Sequence, residues 1–187
     1  MLEKFKILSH AYAAASGEMS EGTTTERRLG DLAGYFADEA AYTDALEEEN
    51  RLLYRVSAIE PAHDVGDLHC GLGVLYPGKI GREYHLTKGH LHATRGASEI
   101  YIGLSGEGCM LLEDEVSGES RLEPFGAGRI VYVPGHTAHR TINTGEVPLS
   151  YFGVYPADAG HDYGVIAERN FLKVVVEENG RPTLQDR

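Results

Sequence analysis

Tryptophan is absent from this chain, and only two cysteines and three methionines occur in 187 residues. Cys70 and Cys109 lie far apart without CxxC spacing. That removes a paired-cysteine metal or redox motif and leaves, as the default, a buried pair of thiols in a cytosolic protein. Cations are scarce too: 17 Lys and Arg stand against 29 Asp and Glu, for a net charge of −12. No basic stripe exists to neutralise phosphates, so nucleic acid is excluded as a partner. An anionic substrate would need cations placed locally. Lys88, Arg95 and Arg140 lie close in sequence to histidines and are available for that. No apolar run approaches membrane-span length, and no signal-peptide core follows the N-terminus. The expectation is a cytoplasmic, soluble protein with no membrane partner.

What the chain does have is a hydrophobic fraction of 42%, enough for a folded core, and a length that fits one domain with extra segments. Eleven tyrosines outnumber five phenylalanines. Most are assigned to ordinary sheet positions rather than to a hydroxyl-rich pocket. Residues 1–51 read as an N-terminal arm. Within it residues 2–15 form a short helix or an extended arm, and 16–25 a loop. Leu29, Leu32, Tyr35 and Phe36 recur at helical spacing. The acidic stretch 43–50 is a turn or short helix with a solvated face.

From residue 52 the pattern changes to short alternating segments. Strands are expected near 53–58, 71–76, 99–104, 109–113, 129–133, 138–143, 149–155 and 171–176. Residues 82–86 and 90–93 make a further strand, interrupted at Thr87-Lys88-Gly89. Turn signals every 8–12 residues indicate an all-β sandwich or barrel over 52–178. Residues 179–187 form a polar tail.

Chemistry concentrates between residues 84 and 99. His90 and His92 stand two apart, which on a strand puts both rings on one face with Cβ atoms ~7 Å apart. Both can converge on one metal ion, and Glu99 can return on the next strand as an oxygen ligand or a base. His85 has the opposite strand parity and is not counted as a ligand. His63 and His69 read as surface or structural, His136 as a rim residue, and His161, in a glycine-flanked loop, as functional. His139 opens a second block, Ala138-His139-Arg140-Thr141-Ile142-Asn143-Thr144-Gly145.

These two blocks resemble the paired motifs of the cupin superfamily. The match to one branch is more specific. Tyr84-His85-Leu86-Thr87-Lys88-Gly89-His90-Leu91-His92, with its long spacer to Glu99, looks like the first block of the cupin-type glucose-6-phosphate isomerases. The second block and the string Tyr155-Pro156-Ala157-Asp158-Ala159-Gly160-His161-Asp162-Tyr163-Gly164 look like that family's later motifs. The resemblance covers roughly residues 50–170.

It implies a single cupin-type β-barrel, a double-stranded β-helix of jelly-roll form, with a few short helices. It also implies one divalent metal ion per subunit on His90, His92, Glu99 and His139. That ligand type suits Fe²⁺, Mn²⁺, Ni²⁺ or Zn²⁺, with iron the first choice. The implied reaction interconverts glucose 6-phosphate and fructose 6-phosphate. Glu99 would act as the base of an enediol route, and a metal-assisted hydride shift stays open. His161 or Tyr163 would open the sugar ring. The sugar-phosphate substrate would rest on Thr87, Lys88 and Gly89, with Tyr54, Tyr101 and Tyr155 near its sugar or phosphate. A homodimer is implied by the family alone. Competing readings are another metal-dependent cupin enzyme, such as a dioxygenase or a different sugar-phosphate isomerase, and a non-catalytic sugar-binding cupin.

Overall fold

The computed structural model describes residues 9–187. The first part of the helix-or-arm expectation for residues 2–15 lies outside them. Inside them, β1 (Tyr12–Ala13) and β2 (Glu18–Met19) form a small hairpin.

The all-β cupin-type architecture expected from the sequence is what the chain builds. Five central strands are β4 (Leu52–Ile59), β5 (Leu68–Leu75), β8 (Glu99–Ser105), β11 (Ile130–Val133) and β13 (Leu149–Pro156). They join β3 (Thr23–Arg28) in a six-stranded antiparallel sheet ordered β11-β8-β13-β5-β4-β3. Facing it is a three-stranded sheet of β10 (Ser120–Gly126), β9 (Glu107–Asp114) and β12 (Thr137–Asn143). Tyr101, Met110, Phe125, Val131, Val133, Leu149 and Tyr151 fill the space between the two. Their burial, at about 25 cal/mol per Å² of apolar surface, is what holds the sheets together. Pro124 is tolerated within β10 because that strand is a sheet edge.

A flanking sheet contains β6 (Lys79–Ile80), β7 (Glu83–Tyr84), β14 (Lys173–Glu178) and β15 (Arg181–Asp186). The polar C-terminal stretch is therefore a paired strand. Asn179 and Gly180, both at positive φ (53° and 74°), make the tight turn that returns it onto β14.

Several local expectations are corrected. Residues 23–28, placed in a loop or at the start of a helix, are β3. Three consecutive β-branched threonines favour the extended chain there. Leu29, Leu32, Tyr35 and Phe36 are all buried but do not lie on an α-helix. They occupy a 3₁₀ turn, Leu29–Leu32, and the turns after it, with Gly34 at φ +79°. Their spacing reflected burial against the end of the barrel rather than helical phase. The helix α1 starts later, Glu39–Glu48, where Asp38 accepts a hydrogen bond from the Ala41 N–H at 2.9 Å. It has no buried residue, as expected for the acidic stretch. Cys109 is buried, but Cys70 is only half-buried, so the thiols are not a buried pair. Among the described residues no helix is long and apolar enough to cross a membrane.

Candidate metal centre and sugar-phosphate cavity

Residues 82–86 and 90–93 do not form the interrupted strand expected of them: only Glu83–Tyr84 is a strand. Gly89, at φ +73°, turns the chain, and only single bridges remain: Leu86 to Ile142, His90 to His139 and Leu91 to Asp162. Those bridges still direct the imidazoles together. The His90 ring lies 5.5 Å from that of His92 and 4.3 Å from that of His139, between centroids. Glu99 arrives from the first position of β8. Its Oε2 stands 3.2 Å from His92 Nε2, 3.3 Å from His139 Nε2 and 4.0 Å from His90 Nε2. One ligand atom from each of the four residues lies within 4.8 Å of the others, and all four residues are buried.

The second ring nitrogens bear on what this cluster could hold. His92 Nδ1 faces the Ala97 carbonyl at 2.9 Å, and His139 Nδ1 faces the Thr137 carbonyl at 3.0 Å. A carbonyl accepts, so each Nδ1 carries the proton and each Nε2 presents a lone pair inward. Those lone pairs meet the Glu99 carboxylate, which is also an acceptor. Among the described residues the buried His90 Nε2 has no hydrogen-bond partner. Acceptors converging in this way need a cation among them, and the donor set fits a divalent metal. Burial pushes the Glu99 carboxyl up, but the His139 and His92 rings beside it outweigh that and hold it at about 2. Burial, then the His139 imidazole, pushes His90 well down.

The cluster opens on a cavity of about 1050 Å³. His161 and Tyr163 stand at its mouth. Their rings stack at 5.8 Å, and the His161 ring lies 4.5 Å from that of His90. Burial lowers the His161 imidazole, so it is neutral at pH 7. The loop carrying both is stitched to the ligand segment through Leu91 and Asp162, whose backbones exchange hydrogen bonds of 3.2 and 2.7 Å.

Thr87, Lys88 and Gly89 line the same cavity, as do Tyr54, Tyr101 and Tyr155. Every residue assigned to substrate in the sequence thus reaches one volume. The Tyr54 hydroxyl accepts from the Lys88 N–H at 3.5 Å. Lys88 Nζ lies 5.4 Å from the Tyr35 ring centroid. His85 points elsewhere: its Nδ1 meets the Tyr76 carbonyl at 3.1 Å. His69 is buried against Tyr155 and the Ala62 carbonyl, while His136 is exposed beside Glu115.

Sequence reading alone misses part of this wall. Arg27 comes from β3, about sixty residues before the turn, and nothing in its threonine-rich surroundings marks it. Arg140, noted only as a nearby cation, is buried. It donates to the Lys88 carbonyl at 2.8 Å and to Asn170 Oδ1 at 2.9 Å, and its guanidinium lies 4.1 Å from the Phe171 ring centroid. Burial, then Arg187, brings Arg140 down to about 9, and it stays a cation at neutral pH. Among the described residues Arg27, Lys88 and Arg140 form no ion pair, and these three cations line the cavity together with Glu21, Glu60 and Glu99. The tyrosines also depart from expectation. Tyr35, Tyr54, Tyr101, Tyr151, Tyr155 and Tyr163, six of the eleven, line the cavity. Glycines at facing positions remove the side chains that would otherwise fill it.

Known proteins with this pattern agree with the geometry. A family model described as glucose-6-phosphate isomerase matches residues 26–186. The glucose-6-phosphate isomerase of Pyrococcus horikoshii is 48% identical over 171 residues, covering 91% of this chain and 90% of that one. The enzyme of the same name from Thermococcus kodakarensis is 51% identical over 160 residues, covering 86% and 84%. A solved oxalate oxidase structure shares the fold alone, with a TM-score of 0.50 and 14% identity over 60% of this chain and 56% of that one. With the family model spanning nearly the whole chain and relatives near half identity over most of their length, this protein belongs to the glucose-6-phosphate isomerase family.

Proposed function

We propose that the chain interconverts glucose 6-phosphate and fructose 6-phosphate in a metal-dependent aldose–ketose isomerisation. The observation that carries this reading is the pairing, in one cavity, of the His90, His92, Glu99 and His139 cluster with the cationic turn Thr87-Lys88-Gly89. A dioxygenase would have no use for the turn, and a passive sugar binder none for the cluster.

His90, His92, Glu99 and His139 would hold the ion, with Fe²⁺ as our choice over Mn²⁺, Ni²⁺ and Zn²⁺. A bound divalent ion supplies Lewis acidity toward the sugar oxygens. The chain's own groups do the rest. Thr87 offers a hydroxyl, Gly89 a backbone N–H with no side chain in the way, and Lys88, Arg140 and Arg27 offer positive charge to a phosphate. In a chain of net charge −12 these placed cations are what an anionic sugar would meet. His161, neutral and stacked on Tyr163, takes the proton of the anomeric hydroxyl and returns it to the ring oxygen as the bond between that oxygen and the anomeric carbon breaks. Glu99, ionised and turned toward the cavity, moves the proton between C1 and C2. Tyr54, Tyr101 and Tyr155 orient the sugar between the two ends.

We also propose that the protein works in the cytoplasm as a homodimer. The support is an outward apolar patch in which Ile130 pairs with Ile102 and Tyr132 with Ile100 across β11 and β8, 36–69% exposed. A sedimentation mass of one subunit would remove the dimer.

Conversion of fructose 6-phosphate to glucose 6-phosphate, before and after chelation and after return of each of the four metals, tests the main reading. Loss on chelation and recovery with at least one metal is expected. No conversion with any of them sinks the isomerase, and activity that survives complete metal removal sinks the metal's role. His92→Ala should lose metal and activity together.

A further inference from the structure

The cavity floor is built where two strands carry glycines. Tyr151 of β13 stands directly opposite Gly73 of β5. A Cβ on Gly73 would lie 2.6 Å from Tyr151 Cε2 and 2.7 Å from its hydroxyl oxygen. The phenol therefore lies across the neighbouring strand, in the space Gly73 leaves. No side chain other than glycine at 73 allows that pose.

This arrangement is not needed for packing alone. Phe125 and Tyr101 already meet the Tyr151 ring, at 5.7 and 5.6 Å between centroids, so a phenyl ring there would complete the core. The hydroxyl instead ends at the cavity, in a residue only 6% exposed. Thr141 is the group beside it whose side chain bears on the phenol. Thr141 is in turn locked to the turn: its N–H donates to Thr87 Oγ1 at 3.0 Å and its carbonyl accepts from the Thr87 N–H at 3.0 Å. The phenol oxygen can accept from Thr141 and keep its own proton for a ligand.

We infer that Tyr151 is a further substrate-binding residue: its hydroxyl, held in the Gly73 gap, donates a hydrogen bond to the phosphate of the sugar phosphate gripped by residues 87–89. This rests on the isomerase reading above. It adds a ligand contact from β13 that no motif marks, and it makes Gly73 the residue that permits it.

The test is Tyr151→Phe, which removes one oxygen and keeps the ring, measured with metal content and circular dichroism as controls. A hydrogen bond to a charged phosphate predicts a rise of about tenfold or more in KM for fructose 6-phosphate, larger than the fall in kcat. The inhibition constant of inorganic phosphate should rise in parallel. Gly73→Ala, which pushes the phenol out of its gap, should raise both constants while Tyr151 is still present. If wild type interconverts the sugar phosphates and Tyr151→Phe leaves KM within twofold, the inference fails while the isomerase stands. If KM rises but phosphate inhibition does not, the phosphate assignment is overturned. A wild type with no isomerase activity sinks the parent reading instead, and in that case unchanged inorganic phosphate binding by Tyr151→Phe removes the inference as well.

Discussion

Arg95 holds Asp162. Its guanidinium reaches the Asp162 carboxylate at 2.6 Å from the loop just past the HxH pair. The same side chain meets Glu115 at 3.2 Å and donates to the His92 carbonyl. One arginine therefore ties the His92 backbone to the loop that presents His161 and Tyr163.

The first prediction follows from that tie. Arg95→Met or Asp162→Asn frees the loop without touching the cavity wall. Each should lower kcat/KM about tenfold, in the range a slight misplacement of reacting groups produces. The double variant should lose little more than either single one, because both remove the same link. Both partners are nearly a third exposed, so the thermal midpoint should move little, in line with at most ~1 kcal/mol for such pairs. Additive losses in a double-mutant cycle of kcat/KM would count against the link.

A second prediction concerns the turn. Gly89 sits at φ +73°, and a Cβ there would lie 2.8 Å from the His139 carbonyl and 2.9 Å from Arg140 Cβ. Neither neighbour is the free end of a flexible chain. Gly89→Ala should destabilise the fold by roughly 1–3 kcal/mol, through backbone strain and crowding. It should also raise KM for fructose 6-phosphate, since Thr87 and Lys88 move with it. Urea unfolding and steady-state kinetics read the two effects separately.

The third is a pH dependence. Burial brings the His85 imidazole from 6.5 down to about 4. The unfolded chain therefore takes up this proton first as pH falls. Stability from neutral His85 is fully present above about pH 6.5 and is lost progressively toward pH 4, below which no further loss comes from this group. The shift corresponds to roughly 3 kcal/mol. His85→Gln should flatten the wild-type fall in urea midpoint across that window. An equal slope in both proteins would show that other groups cause it.

Much of the fold was readable because strand period and turn residues act locally. Residues 53–58, 99–104 and 149–155 alternate or run apolar between turn signals, and each became a strand. Where buried residues happened to share helical spacing, as at Leu29, Leu32, Tyr35 and Phe36, local pattern misled. They are buried by what lies above them, and periodicity cannot distinguish that from a helix face. The Asn179-Gly180 turn marks the return into β15 locally, while the polar composition of that strand hides it.

By itself the sequence marked His90, His92 and Glu99 as a candidate metal cluster by their spacing, and the family resemblance added His139 and pointed to the Thr87-Lys88-Gly89 turn. Tertiary structure decided the rest of the wall. Arg27, Arg140 and Tyr151 join the turn in one cavity only after β3, β12 and β13 take their places, and Tyr151 can do so only because Gly73 lies opposite it. Such contacts join residues tens of positions apart, and they are fixed by strand register and by the space a neighbour leaves. No local pattern encodes either one.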